Sequence, residues 1–190
     1  AAEQVKARQG CVRRLVEASK LSKCDFEIAY ESGINALLSH LGPMRKSARL
    51  LRFDARRMLI EGKPDEAAER VAALYRMAGH IKSDEVLISS LVGVAIAGLG
   101  NSESGVLIQS GKLTASGREQ IVGAIESLGR SDPYGVKGAT GGERRITVQW
   151  VRSKYHGPGA GAKFVKEVTA DWGMEQGSKE DLNEVEKLDD

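Results

Sequence analysis

Few residues in this chain carry types and spacings that could do chemistry. The histidines are His40, His80 and His156. None forms a ligand pattern with another His, Cys or carboxylate, and a metal site needs three or four ligands. No metal or other cofactor is therefore expected. Each histidine reads as a neighbour of a helix end, where polar and cationic side chains are favoured. His80 and Glu85 flank an expected corner between helices and could meet there. Cys11 and Cys24 stand 13 residues apart. A fold-back between them would allow a disulfide worth roughly 3 kcal/mol, and the alternative is two small buried thiols. No His or acid is patterned with either cysteine as a catalytic base. The nucleophile-elbow, P-loop and dinucleotide-binding signatures are missing.

Charge patterning says more. Residues 144–166 carry Arg144, Arg145, Arg152, Lys154, Lys163 and Lys166 and no acid, a net +6, with Trp150, Tyr155 and Phe164 interleaved. Residues 167–190 carry nine acids against Lys179 and Lys187, a net −7. Arginines beside aromatics suit a phosphate, a carboxylate or single-stranded nucleic acid. Glu143, Arg144, Arg145, Trp150 and Arg152 are thus the candidate ligand-binding residues. The competing reading folds the acidic end against the basic segment. A second basic stretch, Arg45 to Arg57, places Arg45, Arg49, Arg52 and Arg56 at helical spacing and reads as a solvated or partner-facing helix surface.

These residues must be held by helices. The apolar positions recur at spacings of three and four, and no stretch sustains strand alternation. The expected helices cover about 2–19, 25–41, 44–60, 65–81, 84–99, 114–128, 143–155, 162–172 and 178–188. Gly42-Pro43 reads as a stop followed by a start, and Gly62-Lys63-Pro64 as a tight turn. Residues 84–99 leave almost no polar face, so that helix is expected at the centre, with Leu91 buried. Residues 131–142, with one Pro and four Gly, read as a loop, and Gly157–Gly161 as a flexible break. The longest uncharged stretch, Val86 to Ser102, has 17 residues, shorter than a spanning helix, so no membrane span is expected within the chain.

With 190 residues, 41% of them apolar, the chain can bury a core without disulfide or metal staples. A net charge of +2 gives no overall bias toward nucleic acid or membrane.

Residues 48–75 resemble one tetratricopeptide-type hairpin, through Ala55, Leu59-Ile60-Glu61-Gly62 and Asp65-Glu66-Ala67. Leu51 stands where that repeat has Trp, Gly79 where it closes with Pro, and no second copy lies 34 residues on, where Ile96 takes the place of the turn glycine. Residues 20–150 also resemble a group of uncharacterised bacterial all-helical proteins. The resemblance is carried by Cys24-Asp25-Phe26, Leu37-Leu38-Ser39-His40-Leu41, Ala48-Arg49-Leu50-Leu51, Glu61-Gly62, His80, the run Leu87 to Val92, and Gly142-Glu143-Arg144. It implies an all-helical fold and an upstream signal or membrane anchor, hence an extracytoplasmic or membrane-tethered place. It implies no chemistry.

The expected fold is all-α: an irregular array or bundle of antiparallel helix hairpins, solenoid-like. It is expected as one domain over 1–190, with a packed core to 130 and glycine-rich loops with peripheral helices beyond. The favoured role is a non-catalytic scaffold that binds another protein. The alternatives are a small-ligand binder or hydrolase-type enzyme with a pocket near Glu143 and Arg144, and polyanion binding through residues 144–166.

Overall fold

A computed structural model of the protein describes residues 8–171. Seven α-helices follow in order: α1 (Gln9–Ser19), α2 (Leu41–Ile60), α3 (Pro64–Ile81), α4 (Leu87–Gln109), α5 (Ala115–Glu126), α6 (Val136–Lys154) and α7 (Ala160–Asp171). A 3-10 helix, Tyr30–Asn35, lies between α1 and α2, and no strand occurs among the described residues. The fold is all-α, a packed array of helices. The chain divides into two compact units, residues 8–28 with 37–143, and 29–36 with 144–171. The expected helix at 178–188 lies outside the described residues, as do residues 2–7 of the first.

The hub of the first unit is α3, which packs against α1, α2, α4 and α5. Its sequence explains why. Ala67, Ala68, Ala72, Ala73 and Ala78 are fully buried, together with Val71, Leu74 and Ile81. Small side chains on several faces let several helices approach closely, and each neighbour supplies the larger residues that fill the space. Pro64 sits in the first turn, followed by Asp65 and Glu66, as the free amides and positive end of a helix N-terminus favour.

The 84–99 segment does not take the centre. In α4, Ile88 and Leu91 are each 51% exposed and Val94 is 41% exposed, while Ser89, Ser90, Val92, Ile96 and Ala97 face inward. Hydropathy overstated the larger side chains of α4 and understated the alanines of α3. By length and composition alone, α4 is apolar enough to cross a membrane. In the fold it packs on α2 and α3 and buries Glu103.

That glutamate corrects the reading of Arg45 to Arg57 as one solvated face. Arg52 Nε and Arg56 Nε each donate to a carboxylate oxygen of Glu103 at 2.7 Å. Asp54, fully buried, accepts from Arg57 Nη2 at 2.8 Å, Arg70 Nε at 3.0 Å and Gln9 Nε2 at 3.0 Å. The ionic centres tie α2 to α4 in one case, and to α3 and α1 in the other. Arg45 and Arg49 are exposed, and Arg56 stays exposed even though it pairs with Glu103.

Two further expectations fail for reasons of close approach. Residues 25–41 are not one helix. Gly33 has φ +56° and ψ −126°, a conformation that breaks the helix and that residues with a side chain rarely adopt. A Cβ there would stand 2.1 Å from Trp150 Cγ, so the indole occupies the missing side chain's place. Leu37, within the span expected to be helical, is 84% exposed. The helix begins instead at Leu41, with Gly42-Pro43 inside its first turn. Residues 131–142 are not all loop either, because α6 starts at Val136. The Asp132 carboxylate accepts the Gly138 amide at 3.1 Å, and this hydrogen bond, the largest influence on it, holds the carboxyl below its ordinary range. Gly142 is buried against Glu85, where a Cβ would lie 2.7 Å from the backbone oxygen.

Candidate functional site

The residues singled out from sequence do not form one cluster. Glu143, in the first unit, accepts the Leu87 amide at 3.2 Å. Leu87 opens α4, so this carboxylate caps one of the helix's free N-terminal amides. In the second unit Arg144, Arg145 and Arg152 are exposed on α6. Trp150 is half-buried, sits against Gly33 and lines a 280 Å³ cavity with Tyr30, Glu31, Ile146, Gln149 and Ser153. Lys154 Nζ lies 5.3 Å from the Trp150 ring centre and 3.0 Å from Glu167. Tyr155, packed edge-on against Phe164 at 5.2 Å, donates to Glu167 at 2.7 Å. The first acid of the acidic segment is thus paired with the basic segment. The remaining acids lie beyond the described residues, apart from Asp171.

Cys11 is exposed, Cys24 is half-buried, and both are free thiols. Burial, then the nearby charges of Asp84 and Asp25, push the Cys24 thiol up, opposite to what a thiolate nucleophile needs. His80 Nε2 meets the Leu21 carbonyl at 2.9 Å rather than Glu85. His40 pairs with Asp84 at 2.7 Å, a contact that sequence spacing does not show. Among the described residues no group of three His, Cys, Asp or Glu side chains could hold a metal ion.

A different site emerges on α4 and α5. Both helices pack on α3, and a 570 Å³ groove lies along them, lined by Ile108, Leu113, Ile121, Val122 and Ile125 with Tyr75 of α3. Ile108 is 63% exposed, and Val122 and Ile125 are 45% and 43% exposed. Arg118 is the one charged residue on its lining. The walls are fixed from below. Thr114 Oγ1 accepts the Gly117 amide at 2.9 Å, capping α5, and also bonds Asp65 at the start of α3. Tyr75 OH donates to Asn101 at 2.7 Å and lies 3.3 Å from Ser104 Oγ. Burial raises the Tyr75 phenol above its ordinary value, against the opposing Ser104 hydrogen bond, so the hydroxyl stays a neutral donor. Leu113, Ile121, Val122 and Ile125 are visible in the sequence as a stripe at helical spacing. That Val122 and Ile125 are left uncovered is not.

Comparison with known proteins finds no matching family model, no similar curated protein and no similar solved structure.

Proposed function

We propose that this protein is a non-catalytic helical interaction module whose α4–α5 groove receives an amphipathic helix of a partner protein. The carrying observation is the groove itself: apolar along its walls, with a single charge, Arg118, on its lining. Its volume lies within the range of sites that bury a ligand. A partner helix would seat apolar side chains at three-and-four spacing in such a groove and set a Glu or Asp beside Arg118. The α2–α3 hairpin, similar to a single tetratricopeptide unit, supports the same reading, because helix-hairpin proteins commonly present such surfaces.

The test uses a labelled amphipathic peptide of Leu and Glu, about 18 residues or five helical turns long, titrated with the full chain and followed by fluorescence anisotropy. Saturable binding is expected. Val122→Asp and Ile125→Asp should each weaken it by about tenfold or more, a loss of about 1.4 kcal/mol. A Lys-for-Glu version of the peptide should bind less well. Binding indifferent to Ile125→Asp would overturn the reading. So would tight heparin binding without peptide binding, which would favour the polyanion role of residues 144–166.

A further inference from the structure

A second cavity lies apart from the groove, among the end of α1, the last turns of α3 and the C-terminal part of α5. Its volume is 310 Å³. Lys20, Arg76, His80 and Lys82 line it, and none of its lining residues is Asp or Glu. Two of these groups are already engaged: Lys20 pairs with Glu69 at 2.7 Å, and His80 Nε2 meets the Leu21 carbonyl. Lys82 Nζ donates only to a neutral acceptor, the Leu128 carbonyl, at 3.2 Å. Among the described residues three buried side-chain polar atoms lack a hydrogen-bond partner: the Ser89 and Ser90 hydroxyls on α4 and, at this cavity, Nη1 of Arg76. A guanidinium keeps its charge at all ordinary pH, and buried donors in folded proteins are normally paired.

The charge around the cavity selects the ligand. Arg76 and Lys82 bring two positive charges, neither of them in a contact ion pair among the described residues, although the Asp132 carboxylate lies near enough to feel the charge of Lys82. The helix ends nearby, those of α1, α3 and α5, are C-termini, each equivalent to about half a negative charge. The helix C-termini and Asp132 offset much of this charge, so the cavity favours one negative charge over two. Leu21 and Leu128 add apolar wall. We propose that this cavity binds a small organic carboxylate, its two oxygens held by the Arg76 guanidinium in the planar fork that suits a carboxylate, with Lys82 as the second cation.

Benzoate is the probe, with benzamide as its neutral counterpart and phenyl phosphate as the dianion. Titrated into the 190-residue chain and followed through the backbone amides of Leu21, Gly79 and Gly123, benzoate should shift all three saturably at about millimolar concentration. Benzamide should not, and phenyl phosphate should bind more weakly. Arg76→Met should weaken benzoate by about tenfold or more, as loss of a hydrogen bond between charged groups would. Arg49→Met, an exposed cation elsewhere, should change nothing. If Arg76→Met does not fold, Lys82→Met serves in its place and should weaken binding several-fold. No saturable shift with benzoate, equal binding of benzamide, tighter binding of phenyl phosphate, or full binding by the folded Arg76→Met variant would each overturn the proposal.

Discussion

His40 Nε2 lies 2.7 Å from Asp84 Oδ2, and the His40 ring stacks on Phe26 with centroids 4.2 Å apart. The pair joins the residue before α2 to the turn before α4, 44 positions away. It anchors the irregular segment that precedes α2. Asp84 is 3% exposed, so His40→Ala strands a buried carboxylate and should cost about 1–3 kcal/mol. His40→Gln, which keeps a donor, should recover part of that loss. Urea unfolding midpoints of the two variants provide the measurement.

Contacts of this kind mark where sequence reading stops. The spans of α2, α3 and α5 are legible because Ala48, Leu51, Ala55, Met58, Val71 and Leu74 recur at helical spacing, and because Pro64 and Thr114 announce their starts. The failure at 25–41 is tertiary: Phe26, Tyr30 and Leu37 form a stripe, but the Trp150 ring beside Gly33 decides the backbone. The centre of the fold is misplaced because burial depends on how close neighbours can come, and alanine permits closeness without scoring as strongly apolar. The groove is half legible. The α5 stripe is plain in sequence, while its uncovered part depends on where α4 sits.

Leu74 and Leu91 separate the two placements of the core. Leu74 is fully buried in α3, and Leu91 is half exposed on α4. Leu74→Ala should cost about 2–5 kcal/mol, and Leu91→Ala should stay within about 0.5 kcal/mol of neutral, as surface substitutions do. Denaturant unfolding of the two variants beside the parent decides it.

Asp54 predicts an acid limb. Burial pushes its carboxyl up, but hydrogen bonds from Arg57, Gln9 and Arg70 outweigh burial and hold it below its ordinary 3.8. The unfolded chain therefore takes up the proton first as pH falls. The stability this group contributes is complete above about pH 4 and is lost as pH drops through the lower folded value. Asp54→Asn should remove about 1–3 kcal/mol at neutral pH, because Arg57 and Arg70 keep Glu61 and Glu69 but lose the buried carboxylate they share. Its stability below pH 4 should also fall less steeply than the parent's, which melting temperatures across a pH series would show.

The thiols should differ in reactivity. Cys24 is half-buried and its thiol is pushed up by burial and by Asp84 and Asp25, so little thiolate forms near neutral pH. Cys11 is exposed on α1. Iodoacetamide at pH 8 should therefore modify Cys11 first, read by peptide mass. Protein purified without reductant should titrate as two free thiols, and one thiol-free population bridged from Cys11 to Cys24 would contradict the structure.

Two neighbouring glycines of α6 should respond to alanine with opposite signs. In a helix interior, Gly→Ala gains about 0.8–1 kcal/mol from backbone propensity alone. At Gly141 nothing lies within 4 Å of the position a Cβ would take, so Gly141→Ala should stabilise by up to that amount. At Gly142 the same atom would come 2.7 Å from the Glu85 backbone oxygen and 2.6 Å from Glu85 Cβ. Backbone cannot swing aside as a flexible side-chain tip can, and forcing a methyl group into a filled contact typically costs about 1–3 kcal/mol. That cost exceeds the propensity gain, so Gly142→Ala should be destabilising by up to about 2 kcal/mol. Equal stabilisation by both substitutions, measured by thermal unfolding, would show that α6 does not lie against Glu85.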